Sequence, residues 1–277
     1  MRRVLRRFLA DRAGRLGLAG LLLVLGMALA AGWLFPGDPL AIAGPAQVPP
    51  FQDPAHWLGT DRLGRDVLAQ LCHGARVSLL VGAAAAVLAV GIGLLVGTTA
   101  GFLGGWADEA LMRLTEAVQT VPSFVLALAL ILVLGPSLGS IVVAIGLGAW
   151  PSPARVVRAE VMALARRDFV DAYRCMGMGW ARIAFAKLLP NALAPVLVLA
   201  TVITASAILI ESALSFLGLG DPNRVSWGSM IAEGRAVLRS AWWLSAIPGL
   251  AIVVAVLSVS LLGEALTAAL DPRRRRR

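Results

Sequence analysis

Residues 155–195 read RVVRAEVMALARRDFVDAYRCMGMGWARIAFAKLLPNALAP, the only long polar stretch lying between two strongly apolar blocks. The stretch carries Arg155, Arg158, Arg166, Arg167, Arg174, Arg182 and Lys187 against Glu160, Asp168 and Asp171. Its local signals are those of two short helices. Asp168 is placed to cap a helix, and Asp171 follows at the spacing of a capping box. Both carboxylates then face the positive end of that helix's dipole. Gly177 is a good C-terminal stop, so the first helix is expected over 168–176. A second is expected to begin near Trp180, where Trp180, Ile183, Ala184 and Leu188 recur at helical spacing along a membrane interface. Pro190 is expected to end it and redirect the chain. From the residues alone, two readings stand: a basic interfacial hairpin that only fixes topology, or a surface shaped for a cytoplasmic partner.

Working outward, the chain has 277 residues, of which 58% are hydrophobic and only 15% charged. Soluble domains run nearer one-quarter charged, so this composition reads as an integral membrane protein. Spans need roughly 20 apolar residues each, and six are expected: about 16–35, 77–101, 111–134 with a kink at Pro122, 138–157 bent near Trp150-Pro151, 194–217 and 245–266. The basic head (1–15) with the first apolar block is read as a retained span, because that block outruns the apolar core of a cleaved signal peptide. The segments 1–15, 102–113, 151–190 and 271–277 hold 6, 1, 7 and 5 of the Lys and Arg residues, 19 in all, against 3 each in 36–76 and 218–244. Cationic residues favour the cytoplasmic side. Both termini and the 155–195 stretch are therefore expected inside, and the net charge of +9 is assigned to topology rather than to nucleic acid.

Between spans one and two, the prolines from Pro36 to Pro54 exclude a continuous helix. Asp61–Asp66 is expected to open a helix-like patch after them. His56 and His73 are read as isolated surface or interface residues, and Trp227, Trp242 and Trp243 as an outer interfacial belt. Cys72 and Cys175 fall on opposite sides of the membrane, so no disulfide is expected, and no metal-ligand spacing exists. The single lysine, Lys187, lies between Ala186 and Leu188, so no Walker-type nucleotide site is present. The Gly218-Leu219-Gly220-Asp221 run matches the GxGD element of intramembrane aspartyl proteases, yet Pro222 after it reads as a turn. Glu211 lies inside the fifth span, about two helical turns from its outer end. It either faces a translocation path or makes an interhelical polar contact.

With these residues in view, the loop resembles the EAA loop of bacterial binding-protein-dependent ABC permeases. Asp171-Ala172-Tyr173, then Gly177, then Pro190 follows that pattern without a gap. Asp171 stands for Glu, Tyr173 for the second Ala, and Lys187 for Ile. The runs 56–66 and 74–78, Gly104-Gly105-Trp106, 211–220, Ser226-Trp227-Gly228 and Leu270-Asp271-Pro272-Arg273 are similar to the C-type subunit of the dipeptide/oligopeptide/nickel subfamily.

The resemblance implies an all-α polytopic membrane protein with six spans and the permease fold of a type I ABC importer. Residues 1–75 would hold the tail, first span and outer loop. Residues 76–272 would form the permease core, with a coupling loop at 158–190, and 273–277 a basic tail. It further implies an ATPase-coupling set of Asp168, Asp171, Ala172, Tyr173, Gly177 and Pro190, with Glu211 as a candidate translocation-path residue. The implied partners are a second homologous permease, two ABC ATPase subunits, an extracytoplasmic solute-binding protein and membrane lipid, with no nucleic acid. No cofactor is expected on this chain, and ATP and Mg would sit on the partner ATPases. The expected activity is ATP-driven import of peptides or a related small solute such as nickel across the inner membrane, without covalent chemistry. An ion-coupled carrier or channel is the alternative; it calls for several buried ionisable residues along a path.

Overall fold

A computed structural model describes residue 8 and residues 10–270, and every described element is helical. Most of the basic head, the arginine tail and the last three residues of the Leu270–Arg273 motif lie outside the described residues.

Helix α1 spans Arg12–Leu34, with Asp11 at its N-cap accepting from the Ala13 amide. Helix α2, Val67–Leu103, has 37 residues, about 55 Å at 1.5 Å per residue, and so outruns a hydrocarbon core of roughly 30 Å. It stops at Gly104 and Gly105, whose φ values of +65° and +54° few other residues adopt. Helices α3 (Gly105–Gln119) and α4 (Ser123–Leu134) follow, then α5 (Leu138–Ala149) and α6 (Pro151–Ala165). After α7 (Asp168–Cys175), a π-helical segment, Arg182–Leu188, runs into α8 (Leu189–Phe216). Helices α9 (Trp227–Gly234) and α10 (Trp243–Leu270) close the chain.

The third expected span is not one rod. Helices α3 and α4 meet at 84°, because Pro122 lacks the N–H a continuing helix needs and its ring crowds the preceding turn. Asp108, Glu109, Arg113 and Glu116 make α3 the polar half of the pair. The 12 residues of α4 reach only about 18 Å. The expected bend at Trp150-Pro151 is present, at 43° between α5 and α6. Four helices are long and apolar enough to cross a membrane, or up to six if each bent pair counts as one crossing.

Helix α2 is the hub, with α1, α5, α6 and α8 packed along it, while α1 lies against α10. Its seam with α6 is set by Gly93, Gly97 and Gly101. A Cβ on Gly93 would meet Pro153 Cγ at 2.7 Å, one on Gly97 Val157 Cβ at 2.8 Å, and one on Gly101 the Arg158 carbonyl at 2.7 Å. Small residues at four-residue spacing let two helix backbones approach this closely, which drives association where lipid supplies no hydrophobic effect. Arg158 then reaches from α6 to α3 and forms a bidentate pair with Asp108, at 2.5 Å on each arm.

Several local expectations are corrected. Residues 61–66 form a turn rather than a helical patch. The Asp61 carboxylate accepts from the Leu63 and Arg65 amides at 2.8 and 2.9 Å, and Gly64 sits at φ +80°. The helix begins only at Val67, capped by Asp66. His56 is not isolated, since its Nδ1 lies 2.9 Å from Asp66 Oδ2. Of the three tryptophans assigned to a belt, only Trp242 is exposed. Trp227 is fully buried, with its Nε1 donating to the Leu71 carbonyl at 3.0 Å and its ring against Gly74. Trp243 is buried in the same apolar cluster.

Candidate functional site

The loop after α6 folds into an elbow. Helix α7 opens with Arg167 in extended backbone at the N-cap, and no side chain caps it. The capping box expected from Asp168 is therefore not formed. Asp168 already has helical backbone, so its side chain is not placed to accept from the next turn. It and Asp171 both lie in the first turn, where the dipole favours them.

The C-terminal stop is as expected. Gly177 has φ +72°, the Gly177 amide donates to the Arg174 carbonyl at 2.9 Å, and the Met178 amide donates to the Tyr173 carbonyl at 3.1 Å. That pair of bonds is a Schellman motif. Nothing lies within 4 Å of a Cβ built on Gly177, so backbone conformation rather than space demands glycine here.

One face of α7 is anchored. Val170 is 0% exposed and packs with Val157, Val161, Ile183, Leu188 and Val196. The other face is open, with Asp168, Asp171, Ala172, Arg174, Cys175 and Met176 all exposed. Asp171 pairs with Arg174 at 3.1 Å, but the two side chains remain 71% and 54% exposed, so water takes most of the value of that pair. Two further contacts join the elbow to the bundle. The Arg174 guanidinium lies 5.8 Å over the Phe102 ring at the end of α2. Lys187 Nζ lies 5.6 Å over the Tyr173 ring, which meets Phe169 edge-on at 6.0 Å. Tyr173 and Lys187 are the only tyrosine and the only lysine of the chain. Two of the three departures from the EAA pattern thus touch one another.

Pro190 does not end a helix. The chain runs helically from Arg182 through Phe216. Pro190 has no N–H for the preceding turn and crowds it, and the seven residues before Leu189 widen to π-helix, a form that often marks functional positions. The Asn191 side chain donates to the Lys187 carbonyl at 2.7 Å. Ile183 and Leu188 are fully buried against α6 and α7 rather than lying along a membrane interface; Ala184 is also buried, and only Trp180 of that set is exposed.

At the other end of α8, Glu211 is 1% exposed. It accepts from the hydroxyls of Ser215 at 2.8 Å, Ser78 on α2 at 3.1 Å and Ser212 at 3.4 Å. It tethers α2 to α8, and no cation pairs with it among the described residues. Asp221 accepts from the Asn223 amide at 2.9 Å and the Leu138 amide at 3.2 Å. It serves as a turn and helix bracket, as the Pro222 reading anticipates. A cavity of about 210 Å³ opens between α4, the α5–α6 corner and α8; Glu211 does not line it, while Ser123, Ser152 and Ser206 do. The sequence signal for the first two was slight: each follows a helix-breaking proline. Ser206 had none. Asp108 carried no signal either, because its partner Arg158 is fifty positions away.

A bundle of long apolar helices, carrying an elbow with one anchored and one open face, defines a polytopic membrane protein. Residues 77–276 match the family described as "Binding-protein-dependent transport system inner membrane component", and the chain belongs to that family. It is 41% identical to the "Di/tripeptide transport system permease protein DppC" of Pseudomonas aeruginosa, over 93% of this chain and 87% of the relative. It is 40% identical to a "Putative peptide transport system permease protein" of Brucella abortus, over 97% and 90%. A "Putative peptide permease protein" of Brucella suis is 42% identical, over 79% and 73%. The chain is thus a multi-pass inner-membrane permease subunit of an ABC importer, working with an ATPase and a solute-binding protein. It is not itself a catalyst, and its family does not itself bind cofactors.

Proposed function

We propose that this chain imports peptides as one of two homologous permeases, served by two ATPase subunits and an extracytoplasmic binding protein. Two features support the cargo: the peptide-transport names of relatives that align over most of the chain, and a cavity without an ionisable lining residue. Both termini and α7 would be cytoplasmic, in line with the excess of Arg in those segments. The permease core would be 76–272, with its coupling loop at 158–190.

The observation that carries the mechanism is the two-faced elbow: Val170 buried in the bundle, and Asp168, Asp171 and Ala172 presented outward. Helix α7 would seat in a groove of an ATPase subunit, with Asp168 and Asp171 meeting polar or cationic groups there. The Gly177 motif keeps the short helix rigid. Tyr173 and Lys187, together with the π turn before Pro190, would pass its displacement into α8. Glu211, tying α8 to α2 beside the path, would keep those two helices moving together.

The test is uptake against ATP hydrolysis in proteoliposomes holding the full transporter. Asp171→Lys reverses a charge on the open face. Gly177→Leu forces a left-handed backbone that costs an L-residue about 1–2 kcal/mol. Both are expected to lower uptake roughly tenfold while the purified complex still assembles. Normal uptake by both variants would sink the coupling role.

A further inference from the structure

The cavity between α4, the α5–α6 corner and α8 joins three observations that the coupling mechanism does not use. First, both broken helices end on it. Ser123 is the first residue of α4 after the 84° break, and Ser152 follows the 43° break at Trp150-Pro151. Interrupted helices at membrane depth are tolerated where they are buried in protein or line a cavity. Ser206 faces them from the middle of α8.

Second, most hydroxyls elsewhere in the long helices are satisfied within the protein, Thr98 and Ser245 being buried exceptions. Thr99, Thr201, Thr204, Ser258 and Thr267 each donate to a carbonyl three or four residues back in their own helix, at 2.6–2.9 Å. Ser123, Ser152 and Ser206 donate to no protein acceptor among the described residues and are exposed. Third, no lining residue is ionisable, and the walls between the hydroxyls are apolar, with Ile145 and Val202 among them.

We propose that Ser123, Ser152 and Ser206 are transient contact points for the backbone of the transported peptide. A hydroxyl both donates and accepts, so each can meet a carbonyl or an amide N–H whichever way the chain enters. The absence of fixed charge leaves the peptide's termini and charged side chains without a trap. The apolar walls accept side chains of varied shape. The volume of about 210 Å³ falls below the roughly 300–1,000 Å³ of clefts that enclose a drug-sized ligand, so this is a stretch of path rather than a holding site. The inference rests on the importer reading and adds to it the lining residues and the group they contact.

The experiment uses the full transporter in proteoliposomes, with Cys72→Ala and Cys175→Ser in this chain as background. Ser152→Cys and Ser206→Cys are treated with a small charged methanethiosulfonate reagent, without nucleotide and after trapping with ATP and vanadate. Ala205→Cys, buried on α8 and outside the cavity lining, is the control. Both serine-derived thiols are expected to react in at least one state and the control in neither. The modified proteins should take up radiolabelled dialanine about tenfold more slowly while hydrolysing ATP within about twofold of the parent. Thiols inert in both states, or modified proteins that import at the parent rate, would overturn the proposal. A parent that imports no dialanine would sink the peptide reading and with it the group the serines contact, while the labelling pattern still reports on the cavity without reference to cargo.

Discussion

The 36–66 end of the molecule and the α7 elbow are both polar, proline- or arginine-rich and outside the long helices, yet they treat their charges in opposite ways. At the first, the Asp61 carboxylate is buried and takes hydrogen bonds from two backbone amides and from Gln70 Nε2 at 2.8 Å. Asp66 caps α2 and meets His56, and Arg65 reaches Glu233 on α9 at 3.3 Å. At the elbow, Asp168 and Asp171 stand in water, and one valine does most of the anchoring. Carboxylates at one end complete the fold. Those at the other stay exposed, Asp171 with only an exposed pair to Arg174.

That contrast can be broken by measurement. Asp61→Ala should cause the largest loss, about 2–3 kcal/mol, because it strands the buried Gln70 Nε2 and two part-buried amides. A thermal midpoint unchanged from the parent would refute the structural role. Arg158→Met should cost about 1–2 kcal/mol by leaving Asp108 half-buried and unpaired, visible as earlier melting and as faster proteolysis of α3. A double-mutant cycle on Tyr173→Ala and Lys187→Ile should return a coupling of about 0.5–1 kcal/mol, the value of a partly exposed cation–π pair. Additive losses would show the two residues to be independent. Smallest in stability is Asp171→Asn, expected under about 0.5 kcal/mol for so exposed an ion pair, although uptake should fall severalfold. If it melted as early as the Asp61 variant, the two ends would not differ in kind.

What the sequence revealed divides along the same line. Apolar runs, glycine stops and proline breaks are local signals, and they located the long helices, the 43° corner and the Gly177 stop. The short helix of the elbow was legible because its stop signal at Gly177 is local. Features that depend on distant partners were not legible. Trp227 was assigned to a membrane interface because its amphipathic ring suits one, but Gly74 and the Leu71 carbonyl, more than 150 positions back, bury it. Ile183, Ala184 and Leu188 have the spacing of a membrane-facing stripe; what covers Ile183 and Leu188 is α6 and α7. The polar first half of the third span was hidden by the apolar second half. The missed cap at Asp168 turned on a shift of one residue, which sequence patterns rarely resolve.

The glycine seam between α2 and α6 bears on how force would travel. Backbones in direct contact, with Arg158 bracing α3 across the end, behave as one strut. No slip plane separates α2 from α6 at this seam. The nearest break in that strut is the 43° bend where Trp150 gives way to Pro151.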